Sequence, residues 1–249
     1  MRIPGLERLR TLSRASTRRG MAELVALEQA VCIPMPLSRR VSVLSLAGGV
    51  GCSTVATETA TLLSRLRQER IRLVSAQGSS PAPRSPAGND LEFLALPPES
   101  WPAAVPAWQA LLESHPTRAE LTITDWGAAP MDALRPISTG AHAICLVTDA
   151  SRPGIERAAS VARSLRDEAP VIVCSVDVHH VATTATPDLL TQMHVPAFLV
   201  RFDARRPARL DLPRPAGSET SRELLRLGAQ LMTTIVTPDT GRVQTEARS

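Results

Sequence analysis

One segment constrains this chain more than any other: Val41-Ser-Val-Leu-Ser-Leu-Ala47-Gly-Gly-Val-Gly-Cys52-Ser-Thr54. An apolar, β-branched run breaks into three glycines within four residues and then into helix-forming sequence. That order describes a strand, a tight glycine loop and the N-terminus of a helix. Successive backbone N–H groups and the positive end of the helix dipole then face one point, where an anion such as a phosphate is stabilised. Loops of this kind that grip nucleotides add a Lys ammonium on the β and γ phosphates and a Ser or Thr hydroxyl on Mg²⁺. Here Ala47 and Cys52 occupy the positions where lysine is expected, while Ser53 and Thr54 are kept.

The whole chain contains no lysine, all 28 basic residues are Arg, and Tyr is absent. A general exchange of Lys for Arg on the surface does not put Ala and Cys at two loop positions, because ammonium reach and charge matter there. The loss is therefore specific to the site. With 249 residues, 43% of them hydrophobic, the chain can bury one sizeable α/β core without disulfide or metal staples. A net charge of +4, from 28 basic and 24 acidic residues, permits an acidic partner without requiring nucleic acid, and 2% aromatic content argues against a base-stacking surface. The cysteines (Cys32, Cys52, Cys145, Cys174) are widely spaced, with Cys145 and Cys174 in apolar strand-like runs, which fits a reducing cytoplasm. No apolar run is long enough to span a bilayer, and the first residues lack the apolar centre of a signal peptide.

Three regions are expected. Residues 1–40 read as a basic arm, a short helix over the apolar stretch 21–31 and a Pro34/Pro36 linker. Leu6, Leu9 and Leu12 form a short stripe among arginines, which offers an anionic membrane surface, DNA or a protein something to hold, although a solvated arm is the plainer reading. Residues 41–235 alternate short apolar runs with helical patterns, the mark of βαβ units. The fold class is α/β: a three-layer, mainly parallel twisted sheet with helices on both faces. Strands are expected near 41–46, 71–75, 91–96, 121–124, 142–148, 171–176 and 197–201. Helices are expected near 53–69, 103–114, 152–168, 187–193 and 219–234, with Ser53 and Thr54 opening the first and Ser151 and Pro153 starting the third. Residues 78–89, with Pro81, Pro83 and Pro86, read as a loop, and residues 236–249 as a polar tail.

With these elements in place, the chain resembles the MinD/ParA family of deviant-Walker P-loop ATPases. The family's loop reads Lys-Gly-Gly-Val-Gly-Lys-Ser/Thr-Thr, and Gly48, Gly49, Val50, Gly51, Ser53 and Thr54 match it. The resemblance implies that Gly48, Gly49, Val50, Gly51, Cys52, Ser53 and Thr54 are the nucleotide-contacting positions. Ser53 and Asp125 are the metal positions if Mg-nucleotide binds. It also implies what is missing. The family's signature lysine, which reaches a partner's phosphates, is Ala47, and the lysine on the β and γ phosphates is Cys52. The Asp-x-Asp segment that positions the attacking water is Ser75-Ala76-Gln77. The Asn that reads adenine falls in Ser175-Val176-Asp177, and the exit flanking the base falls at Asp203. The lead-in Pro36-Leu-Ser-Arg-Arg40 further resembles actinobacterial secretion-associated relatives.

The Walker B strand and switch turn are partly kept in Leu121-Thr-Ile-Thr-Asp125-Trp126-Gly127-Ala-Ala-Pro130. Two readings of Asp125 stand: a carboxylate that holds a Mg²⁺-shell water, or a turn cap bonded to the loop backbone or Ser53. Trp126 is expected either to plug the γ-phosphate space or to face a partner. Cys52, at a helix N-terminus, has a route to a lowered thiol pKa but is more simply a small space-filling residue. His179 and His180 point in opposite directions on an extended chain and have no ligand cluster beside them. The expected function is that of a degenerate MinD/ParA-like pseudo-ATPase acting as a scaffold or positioning factor. The alternative is a weak ATPase with a lysine-free P-loop, in which an arginine replaces lysine and nucleotide switches a dimer. No catalytic residue is assigned. No cofactor is expected under the first reading, and weakly bound ATP or ADP with Mg²⁺ under the second. The partner is expected to be a protein, either a second copy or a nucleotide-competent paralogue.

Overall fold

In the computed structural model, residues 18–35, 37–67, 69–76, 91–97, 100–115, 119–201 and 218–236 are described. The basic arm over residues 1–17, Gln77, the 78–89 loop, Asp203 and the tail after residue 236 lie outside them. The strands are β1 (Arg39–Ser45), β2 (Ile71–Ser75), β3 (Leu91–Ala95), β4 (Leu121–Ala128), β5 (Ala143–Asp149), β6 (Val171–Asp177) and β7 (Ala197–Arg201). They form one seven-stranded sheet in the order β3-β2-β4-β1-β5-β6-β7, and every pairing is parallel. The helices are α1 (Arg18–Val31), α2 (Cys52–Leu66), α3 (Trp101–Ser114), α4 (Leu134–Thr139), α5 (Arg152–Leu165), α6 (Thr186–Thr191) and α7 (Ser218–Val236).

The two-residue side-chain period of a strand builds two cores from one sheet. On one face Val41, Val43, Ile123 and Cys145 meet α1, α2 and α7. On the other, Leu44, Ile144 and Trp126 meet α3, α4 and α5. Strands covered on both faces read as unbroken apolar runs, which is why residues 41–46 and 142–148 stand out in the sequence.

Three local features differ from expectation. The first crossover helix begins at Cys52, without a side-chain cap. Gly51 turns the chain at φ 90° and ψ 16°, a left-handed geometry open to glycine at little cost. Ser53 and Thr54 lie in its first turn and do not cap it. Ser151 does cap α5, its hydroxyl accepting from the Gly154 N–H at 3.1 Å, with Pro153 in the first turn. A 3-10 turn (Met131–Ala133) and the six-residue α4 have no counterpart in the sequence reading, because elements this short carry less than two full turns of apolar period.

The helix expected near 21–31 is α1, and it docks on the domain. Val31 is fully buried, and Leu24 and Met35 join the core formed with α2 and α7. The Arg67 guanidinium, whose side chain is fully buried, donates to the Val31 and Ile33 carbonyls at 2.5 and 2.9 Å and pairs with Glu69 at 3.0 Å. A cation at the end of α1 complements the negative end of its dipole. Arg226 of α7 holds the other end through Glu23.

Candidate functional site

The loop lies at the carboxyl end of the central strand β1, where crossovers of a parallel α/β sheet open a crevice. Ala47, Gly48 and Gly49 are exposed, and Gly49 takes φ 77°. Val50 and Cys52 are buried, Gly51 and Ser53 are half-buried, and Thr54 is exposed. Strand, glycine loop and helix follow one another in the expected order.

The floor of the crevice holds side-chain chemistry of a different kind. Cys52 points down against the sheet, its Sγ 3.6 Å from Oδ1 of Asp125, and both residues are buried. The same Oδ1 accepts the Gly127 N–H at 3.0 Å. Asp125 is thus engaged by the residue in the lysine position and by its own turn, which matches the capping reading in kind but with Cys52 in place of Ser53. Burial, with the Asp125 charge adding to it, pushes the Cys52 thiol well above its ordinary pKa. The dipole-lowered thiolate is contradicted: burial outweighs the helix terminus, and the space-filling thiol is what the fold contains.

The strand expected near 121–124 continues as β4 to Ala128. Trp126 consequently neither plugs the loop nor faces a partner. It is fully buried on the opposite face of the sheet, donates Nε1–H to Ser42 Oγ at 3.1 Å, and packs 5.5 Å from Trp108 and 6.4 Å from Trp101, centroid to centroid. Strand alternation decides this. Asp125 faces α2, so its neighbour faces α3.

Other predicted positions separate from the crevice or change role. Ser75 pairs in register with Asp125, and its hydroxyl is buried with no hydrogen-bond partner among the described residues. Ser175 is buried and donates to the Asp149 carbonyl at 3.3 Å, and Asp177 Oδ1 accepts the Ala182 N–H at 3.0 Å. His179 and His180 lie in a turn, where His180 has φ 54°, and no group of three or more metal-ligating side chains occurs among the described residues.

Two features were not foreseen. Val176 and Val178 crowd Gly51, standing 3.4 and 3.6 Å from where a Cβ would be, so one flank of the loop is apolar. The Ser45 hydroxyl lies 3.0 Å from the Ala47 carbonyl and 3.2 Å from that of Gly127, sharing one proton between the loop and the segment after Asp125. A serine closing an apolar strand beside a glycine loop was the available signal. A cleft of about 30 Å³ between the loop and α5 is lined by Ala47, Val50, Thr148, Asp149, Gly154 and Arg157.

This donor set differs from the one that the resemblance implies for a Mg-nucleotide. The lysine positions carry a methyl and a neutral thiol, the carboxylate that remains is bonded to that thiol, and the Asp-x-Asp site contributes a hydroxyl. An alkaline test follows from the thiols. Cys145 is also held well above its ordinary pKa, by its hydrogen bond to Cys174 and by burial. Both groups stay protonated when folded and ionise when unfolded, so their contribution to stability is complete below the unfolded thiol value, about 8.5, and is lost as pH rises above it. Urea melts between pH 8 and 10.5 should show stability falling by about 1.4 kcal/mol per pH unit for each thiol. Cys52→Ala should remove one thiol's share of that slope.

Together, the sheet order, the crossovers and the glycine loop define a three-layer P-loop α/β protein. Its fold is that of MinD and of plasmid partition proteins. Cell division ATPase MinD of Pyrococcus furiosus superposes with a TM-score of 0.57 at 12% identity, over 79% of this chain and 99% of that one. A chain of the MinC:MinD cell division protein complex of Aquifex aeolicus gives 0.56 at 15% identity, over 79% and 96%. A putative plasmid partition protein of Borrelia burgdorferi B31 bound to AMPPNP gives 0.56 at 14%, over 79% and 99%. No family model and no curated protein matches the sequence.

Proposed function

We propose that this chain is a MinD/ParA-like pseudo-ATPase that works through protein contacts, as a scaffold or positioning factor, without a nucleotide cycle. The observation that carries this reading is the buried Cys52–Asp125 contact. Cys52 at the lysine position and Asp125, one of the two metal candidates, satisfy each other, so binding Mg-nucleotide through Asp125 means breaking that contact with no ammonium to take its place. The serine in place of a carboxylate at position 75 and the valines against Gly51 point the same way. A charge-assisted hydrogen bond contributes about 1.5–3 kcal/mol, so each missing lysine weakens phosphate binding by about one to two orders of magnitude. The MinC:MinD complex supports a protein partner in general, and the partner proposed for this chain is a second copy or a nucleotide-competent paralogue. Among the described residues no helix is long and apolar enough to cross a membrane.

One observation favours the alternative, a weak lysine-free ATPase: Arg157 lines the cleft beside Ala47, within the same chain. Isothermal titration with Mg-ATP decides between them. The unmodified chain is expected to bind no more tightly than about millimolar, and the Ala47→Lys/Cys52→Lys variant at least tenfold more tightly, roughly. Micromolar binding with turnover by the unmodified chain, reduced by Arg157→Gln, establishes the ATPase instead.

A further inference from the structure

In loops that switch on nucleotide, the γ-phosphate orders a segment that is released after hydrolysis. The corresponding segment of this chain, residues 126–129, is tied down by the protein itself. β4 stays beside β1 past a register shift, pairing Leu44 with Gly127 and Ser45 with Ala128. The Ala129 N–H then donates to the Ser45 carbonyl at 2.8 Å. Gly127, at φ 61°, makes the kink this requires, with its N–H on Asp125 and its carbonyl on the Ser45 hydroxyl. That hydroxyl also reaches Ala47, so the glycine loop and the segment share a donor. On the far face the Trp126 indole anchors the backbone between α3 and the sheet.

We infer that Ser45, Cys52 and Asp125 form a built-in staple that holds the glycine loop and residues 126–129 in one arrangement whether or not a ligand is present. The surface that follows, where Met131 is 62% exposed, is thereby presented constantly. Displacing the segment requires breaking the β1 pairing, the Gly127 bonds and the indole packing together. No single phosphate contact supplies an equivalent set.

The inference rests on the reading that this face acts without a nucleotide cycle, yet the two fail separately. Hydrogen–deuterium exchange of the full chain, with and without Mg-AMPPNP, tests it. The Gly127 and Ala129 amides are expected to exchange as slowly as central β1 amides and to change by less than about twofold with nucleotide. Ser45→Ala should speed exchange at Gly127 and Ala129 by about fivefold, the share of one hydrogen bond. Exchange as fast as at Gly48 and Gly49, or slowing by more than about tenfold with nucleotide, overturns the staple. Calorimetric binding of Mg-AMPPNP with unchanged exchange overturns the pseudo-ATPase reading and leaves the staple standing. Fluorescence supplies a second measure. All three tryptophans (Trp101, Trp108, Trp126) lie in one cluster and tyrosine is absent. A fixed segment keeps the emission maximum unchanged on adding Mg-AMPPNP, and a shifted maximum overturns it.

Discussion

Trp126→Ala is expected to destabilise the protein by about 3–5 kcal/mol, among the largest effects of any single truncation in this fold. The indole is fully buried, contacts the rings of Trp101 and Trp108, and has its N–H satisfied by Ser42. Alanine leaves a cavity beneath α3 and an unpartnered buried hydroxyl. The melting temperature should fall by roughly 10 °C or more, at the few degrees per kcal/mol usual for a chain of this length. Trp126→Phe separates packing from hydrogen bonding: most of the volume is kept and only the donor is lost, so about 1–2 kcal/mol is expected. Thermal melts of the two variants check the order, and equal losses show that the indole N–H, rather than ring volume, dominates.

Arg67→Met should cost about 3 kcal/mol or more, because it removes a buried cation while leaving its partners in place. Two carbonyls at the end of α1 lose their donor, and the Glu69 carboxylate loses its counter-charge. Methionine keeps the apolar stem of the side chain, so the loss is chiefly that of the charged, hydrogen-bonding end. Hydrogen exchange should locate the damage. The α1 amides are expected to lose protection first, ahead of the central strands, because the clamp joins α1 to the remainder of the domain. Uniform loss across the sheet, with α1 no more affected than β1, contradicts that role.

The two residues differ in what could be read of them beforehand. Trp126 drew attention as an unusual residue beside Asp125, but its direction depends on whether the strand ends at 125 or at 128. That is settled by pairing with β1 across a register shift, and no local pattern encodes it. Arg67 is one arginine among many; its burial follows from where α1 comes to rest, more than thirty residues away. Cys52 shows the opposing forces most clearly. Its position at a helix start favours a thiolate, and the depth of the crevice, which depends on β4 and β5, reverses the sign.

The alternation of strands and helices, the parallel three-layer class, the glycine loop with its absent lysines and the loss of carboxylate at Ser75 are all legible along the chain. These depend on side-chain period, glycine backbone freedom and residue chemistry, which are local. Folding is what brings Cys52 onto Asp125, joins two loops through Ser45, turns Trp126 into an anchor and clamps α1 to the core through Arg67. Each of these depends on which groups meet after the strands take their order. That order is a balance of burial and hydrogen bonding over the whole chain, and no short stretch of residues contains it.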